Sequence, residues 1–185
     1  MPSQPTNFPK LLPYAVLLLG LAWIALSASS TGQSQEGQSA AATGFYAPDF
    51  TLPSLDGQSY SLSELRGRPI LLNLWASWCL PCRAEMPALQ RVYEEHQAQG
   101  FIVLAVNATN QDSLGAAAAF VEELGLSYPI LLDEEGTVSR LYGLRALPTT
   151  FFIDAEGKII EVIVGGPLSE ALLAIRVEEL LKDLP

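Results

Sequence analysis

Asn73-Leu74-Trp75-Ala76-Ser77-Trp78-Cys79-Leu80-Pro81-Cys82-Arg83 runs from an apolar stretch into two cysteines separated by two residues. These are the two cysteines of a 185-residue chain, and they lie close enough to pair with each other. Before them, residues 69–75 (PILLNLW) have the pattern of a short strand buried on both faces. After them, Met86, Leu89, Val92 and Tyr93 recur at helical spacing and predict an amphipathic helix over residues 83–98. Cys79 therefore falls where a strand gives way to a helix. The unpaired N–H groups and the dipole of a helix start favour negative charge, so a thiol placed there ionises more readily. Pro81 suits the first turn, where a missing N–H costs nothing. Cys82 lies one turn deeper and is expected to be less exposed. That asymmetry makes Cys79 the sulfur that attacks a disulfide, and Cys82 the one that resolves the mixed disulfide.

Other uses of a Cys-x-x-Cys pair fit less well. Structural zinc would need two further Cys or His ligands, and the chain offers one histidine, His96. Haem attachment would need a histidine directly after Cys82, where Arg83 stands. A purely structural disulfide across two residues closes too small a loop to restrict the unfolded chain much. Redox chemistry through the cysteine pair itself, with no metal or other cofactor, is the expectation. His96 reads as a solvated surface residue on the polar side of its helix. Trp75 reads as core, while Trp78 either shields the disulfide or offers surface to a substrate.

Outward from this stretch, the chain holds one domain and an appendage. A domain of that size buries roughly two-thirds of its unfolded surface and needs no disulfide staple, which leaves the cysteines free for chemistry. The net charge of −10 excludes a nucleic-acid surface and reads as a solvated acidic exterior. Residues 1–10 are polar with Lys10 their one charged side chain, and residues 11–28 (LLPYAVLLLGLAWIALSA) are uncharged and almost wholly apolar. Their length suits either a transmembrane anchor or a signal segment, of which the anchor is preferred. Both place residues 1–10 on the cytoplasmic side and send the remainder across a membrane. Residues 29–43 are rich in Ser, Gly, Gln and Ala and read as a flexible linker. The folded domain is expected over residues 44–185.

Within that domain, Leu55-Asp56-Gly57-Gln58 has hairpin turn chemistry, and residues 61–65 read as a helical turn with a serine cap. Residues 101–106 (FIVLAV) predict a second buried strand. Helices follow over 112–124 and 134–142, separated by an extended piece at 128–132. Residues 149–153 and 158–164 predict two strands, and 169–181 a closing amphipathic helix. The alternation implies an α/β fold, a central mixed sheet flanked by helices on both faces.

The motif and its surroundings resemble the thioredoxin superfamily, in its membrane-tethered TlpA/ResA-like branch of thiol–disulfide oxidoreductases. Trp78-Cys79-Leu80-Pro81-Cys82 is similar to that family's active site. Ala47-Pro48-Asp49-Phe50 followed by Leu62-Ser63-Glu64-Leu65-Arg66-Gly67 resembles the branch's N-terminal hairpin extension, and Asp154-Ala155-Glu156-Gly157-Lys158 resembles its later hairpin. Arg145-Ala146-Leu147-Pro148-Thr149-Thr150-Phe151 resembles the loop that carries a cis-proline beside the active site. The resemblance implies a thioredoxin-like fold with an N-terminal hairpin extension and an inserted helix and strand. It implies that the Leu147–Pro148 bond is cis and that Leu147 and Pro148 meet an extended substrate next to the reactive sulfur, while Trp78 keeps both of its readings. Asn73 stands where cytosolic thioredoxin has a buried aspartate. Glu85 lies where the ResA-like branch carries a glutamate near the disulfide; partly buried there with a raised pKa it would accept the proton of Cys82, the alternative being a surface carboxylate paired with a neighbouring arginine. The implied activity is reduction of protein disulfides on the extracytoplasmic side, with apocytochrome c as one substrate and a membrane protein as electron donor. Two alternatives stay open: a peroxiredoxin-like thiol peroxidase, and a non-catalytic binding module or chaperone.

Overall fold

Residues 39–182 are described by a computed structural model of the protein. The expected N-terminal segment, the anchor or signal and most of the linker lie outside the described residues. Among the described residues, no helix is long and apolar enough to cross a membrane. Residues 39–43, expected as the end of the linker, already pair with the domain: Ser39 bridges Tyr46, and the Ala40 N–H donates to the Tyr46 carbonyl over 3.0 Å.

Strands β1 (Thr51–Pro53) and β2 (Ser59–Ser61) form an antiparallel hairpin around Gly57, whose φ of 80° a side chain would resist. A short 3-10 turn, Leu62–Leu65, follows at the expected place. Its cap is not the expected serine side chain. The Asp49 carboxylate accepts from the Ser63 N–H at 2.8 Å and does that work from the preceding segment.

The main sheet is built from β3 (Ile70–Trp75), β4 (Ile102–Asn107), β5 (Ile130–Leu132), β6 (Thr149–Ile153) and β7 (Ile159–Val164). Its order is β5-β4-β3-β6-β7, parallel among the first three and antiparallel from β3 to β7. Every side chain of β3 and of β4 is buried, which is why both read as continuous apolar runs rather than alternating ones. The sheet has helices on both faces, as the alternation required. Ile70, Leu72 and Leu74 point to the face covered by Phe50, Leu62 and the short helix α3 (Thr137–Leu141). Leu71 and Trp75 point to the other, covered by α1 (Leu80–His96), α2 (Leu114–Leu124) and α4 (Glu170–Lys182).

Helix boundaries depart from the periodicity wherever a side chain caps the chain. Helix α1 starts at Leu80 rather than 83, because Cys79 itself is its cap. The expected helix over 112–124 starts later, as α2 at Leu114, with Ser113 Oγ capping its first turn by accepting from Ala116 N at 3.1 Å, and a separate 3-10 turn, Thr109–Gln111, precedes it. The expected helix over 134–142 shortens to α3. The buried Asp133 carboxylate accepts from Val138 N and Ser139 N at 3.1 and 2.7 Å and holds residues 133–136 in a turn. His96 is not solvated as expected. It is buried at the end of α1, with its ring edge-on to Phe101 at 6.5 Å.

The sheet edges are partly occupied by the N-terminal extension. Ser54 bridges Leu131 of β5, and Leu55 N donates to the Ile130 carbonyl at 3.0 Å. At the opposite edge, Gly44 and Phe45 exchange backbone hydrogen bonds with Ile159 at the start of β7.

Trp75 is fully buried at the end of β3, with its ring 4.8 Å from that of Phe120 on α2. Trp75→Ala is expected to lose about 3–5 kcal/mol by leaving a cavity there. Urea unfolding of the oxidised protein measures this, and a loss well under 1 kcal/mol would contradict the packing described.

Candidate active site

The site begins at the junction of β3 and α1. Cys79 caps the helix with extended backbone (φ −80°, ψ 107°), and its Sγ accepts from the Cys82 N–H at 3.2 Å. A sulfur at a helix start that already takes one orphan N–H is placed to hold negative charge. Pro81 sits within the first turn, as expected. The cysteines are joined as a disulfide. Cys79 keeps 4 % of its surface and Cys82 none, so the order of exposure follows the expectation. Around them Leu80 and Trp78 project outward, at 78 % and 58 % exposure. Trp78 thus presents most of its ring to solvent.

The loop leading to Cys79 is held by a residue that sequence reading missed. Asp112, in the connection from β4 to α2, accepts from Ser77 N and Ser77 Oγ, each at 2.6 Å. It also accepts from Asn107 Nδ2 and Ser113 N, each at 2.8 Å. Partial burial would raise its carboxyl, but the hydrogen bonds from Asn107, Ser77 and Ser113 outweigh that and hold it below its ordinary value. Next to it, the Gln111 carbonyl accepts from Trp78 Nε1 at 3.0 Å and fixes the exposed ring. No local pattern ties Ser77 to Asp112. The one signal in the sequence is the polar run Asn110-Gln111-Asp112-Ser113 before a helix, which reads as an ordinary start.

Glu85 lies on the buried side of α1, one turn beyond Cys82, and is fully enclosed. Its Oε1 accepts from Asn73 Nδ2 at 2.9 Å, and its Oε2 from the Leu168 N–H at 3.0 Å. Asn73 Nδ2 also donates to Thr150 Oγ1 at 2.9 Å, which joins β3, α1 and β6 beneath the disulfide. Burial raises the Glu85 carboxyl above its ordinary value, against the smaller opposing pull of the Leu168 and Asn73 donors. This is the direction expected for that residue.

The loop before β6 brings Pro148 to the same place. The Leu147–Pro148 bond is cis, as the resemblance implied; Pro148 is buried and Leu147 half-buried. A second cis bond, Gly166–Pro167, lies in the connection from β7 to α4 and was not anticipated. That connection carries the Leu168 N–H that meets Glu85. The structure thus gathers Cys79, Cys82, Glu85 and Pro148 around one end of the sheet. Among the described residues, no group of three or more His, Cys, Asp or Glu side chains is placed to hold a metal.

Residues 43–162 match the AhpC/TSA family. The chain belongs to that family. A thiol-disulfide oxidoreductase ResA from Geobacillus thermodenitrificans is 41 % identical over 128 residues, covering 69 % of this chain and 72 % of the relative. Among solved structures, a thiol:disulfide interchange protein of the thioredoxin family from Chlorobium tepidum superposes with a TM-score of 0.64 at 30 % identity, over 74 % of this chain and 95 % of that one. A secreted Mycobacterium tuberculosis disulfide oxidoreductase, homologous to Escherichia coli DsbE, gives 0.64 at 27 %, over 71 % and 96 %. The fold is thioredoxin-like, and this AhpC/TSA member is a thiol–disulfide oxidoreductase of the ResA/DsbE type.

Two outcomes follow from the geometry. Asp112→Ala strips the acceptor from four donors and is expected to lower stability by about 1.5–3 kcal/mol, read by urea unfolding. It should also free the Trp78 ring, read as a change in tryptophan fluorescence anisotropy; an unaltered anisotropy would show that the loop is held by something else. For Glu85 the sign is set by burial. The folded state keeps a proton that the unfolded chain releases first, so its contribution is most favourable below the unfolded carboxyl range. That contribution is lost as pH rises through the raised folded value, then levels off. Relative to Glu85→Gln, the protein should therefore lose stability as pH rises above the ordinary carboxyl range. A gap between the two that stays flat with pH would count against a raised carboxyl.

Proposed function

We propose that the protein is an extracytoplasmic disulfide reductase, anchored by residues 11–28, in which Cys79 and Cys82 carry two electrons to a protein substrate. The observation that carries this reading is the unequal setting of two sulfurs at one helix start: Cys79 at the cap with 4 % of its surface exposed, Cys82 one turn further with none. In the reduced enzyme, the Cys79 thiolate attacks one sulfur of a substrate disulfide, which breaks that bond and releases the other sulfur as a thiolate. Glu85 takes the proton of Cys82. The Cys82 thiolate then attacks Cys79, forming the intramolecular disulfide and freeing the reduced substrate. The raised carboxyl of Glu85 supports its part, since a carboxylate with a raised affinity for protons is a better acceptor than an ordinary one.

Trp78, Leu147 and Pro148 form the surface that meets the substrate chain. The exposed Trp78 ring, held from behind by the Gln111 carbonyl, supports a packing role rather than a shielding one. A cysteine pair of apocytochrome c is a fitting substrate, because it must be reduced before it can take up haem. The electrons come from a membrane protein that reduces the Cys79–Cys82 disulfide again. No cofactor beyond that disulfide is needed. The secreted Mycobacterium tuberculosis relative supports the extracytoplasmic placement.

Cys82→Ser is expected to accumulate a mixed disulfide through Cys79, seen as a mass shift on non-reducing analysis and reversed by dithiothreitol. Cys79→Ser should lose insulin-disulfide reductase activity by about 10³-fold or more, as removal of an attacking nucleophile does. Retained activity in Cys79→Ser would overturn the assignment. A fast second-order reaction of the reduced protein with hydrogen peroxide would instead favour the thiol peroxidase. Full function in a double Cys→Ser variant would favour the binding module.

A further inference from the structure

Adjacent glycines in the connection from β7 to α4 are there for different reasons. Gly165 has φ of 90°, a conformation that other residues resist, and a Cβ added to it would meet nothing within 4 Å. Gly166 is outside that region. A Cβ built on Gly166 would lie 2.6 Å from Glu85 Oε2, 2.8 Å from Pro148 Cγ and 3.3 Å from Pro148 Cδ. Most glycines among the described residues have open space at that position, and of the three that are crowded, Gly166 is the one that faces the cysteine helix.

The residues on either side of Gly166 grip the same two groups. Gly165 N donates to the Pro148 carbonyl at 2.8 Å, and Leu168 N donates to Glu85 Oε2 at 3.0 Å. Residues 165–168 thus touch the buried carboxylate and the proline loop at once, with the Gly166 Cα wedged between them. The carboxylate has a second tie to the same loop, because Asn73 Nδ2 bonds both Glu85 Oε1 and Thr150 Oγ1, two residues beyond Pro148.

We propose that Gly166 is a positioning residue for disulfide exchange: its missing side chain lets one backbone segment seat the Glu85 carboxylate and the Pro148 docking loop against each other, so that neither moves without the other. The functional half of this rests on the reading above that Glu85 accepts the Cys82 proton and Pro148 meets the substrate; the spatial half does not. Proton transfer needs Oε2 held by a donor that stabilises the anion, and docking needs the Pro148 loop at a fixed height above the cysteines. A single methyl group at position 166 disturbs both, because the Cβ position set by that backbone lies too near Oε2 and the proline ring at once.

The test is Gly166→Ala in the full chain, with Gly165→Ala as the control for backbone strain without a clash. In Gly166→Ala the Glu85 carboxyl, followed by ¹³C titration with Glu85→Gln to assign its signal, should move upward by about one pH unit as the Leu168 donor is displaced. KM for an insulin or peptide disulfide should rise several-fold in the same variant. An unmoved Glu85 midpoint, or an unmoved KM, overturns the proposal. Stability provides a readout that survives poor folding. The drop in urea midpoint caused by Gly166→Ala should shrink by at least half in a Glu85→Ala background, because removing the carboxylate makes room. Equal drops in both backgrounds, including failure of both to fold, also overturn it. If Glu85→Gln exchanges disulfides at the normal rate, the proton-transfer reading fails by itself, while the titration and the stability cycle still decide whether Gly166 seats Glu85.

Discussion

The site depends on one hydrogen bond, from the Cys82 N–H to Cys79 Sγ at the first turn of α1. It makes a cysteine the cap of a seventeen-residue helix, the place usually taken by Ser, Thr, Asp or Asn. A sulfur in that role adds little to helix stability compared with an oxygen. It gains a donor and a dipole that favour its thiolate. The remainder of the fold holds that junction still. β3 delivers the chain from the centre of the sheet, Asp112 pins the loop from one side, and Glu85 with Asn73 braces the helix from beneath.

The carboxylates on either side of the junction are treated in opposite ways. Asp112 is ringed by four donors and held as an anion, a structural charge that stays ionised. Glu85 has two donors and complete burial, and its affinity for protons rises. Both are acidic side chains near the same two sulfurs, and the difference comes from how many hydrogen bonds offset how much lost solvent. One carboxylate is therefore a fixed charge, while the other has its affinity for protons raised by burial.

What is legible in the sequence is whatever is repeated or local. The apolar run of β3, the cysteine spacing and the stripe of Met86, Leu89 and Val92 are enough to place the strand, the helix and the two sulfurs. Helix ends are less legible where a distant or unusual side chain supplies the cap, as Cys79 does for α1 and Asp133 for α3. His96 misleads because its helix reads as polar on that side, while Phe101 returns to cover it. The partners of the site are illegible for a simpler reason. Ser77 meets Asp112, and Glu85 meets Leu168 and Gly166, only after the sheet has brought together segments many residues apart. Glycine at 166 looks, in a sequence, like glycine at 165.

The N-terminal extension has a consequence of a different kind. Ser54 and Leu55 lie along β5, and residues 44–45 lie along the start of β7, so one stretch of chain occupies part of both outer strands. Open strand edges are templates on which other chains can pair. Occupying those rims with the chain's own sequence leaves less of either edge free for a strand of another molecule to pair with, and so acts against aggregation.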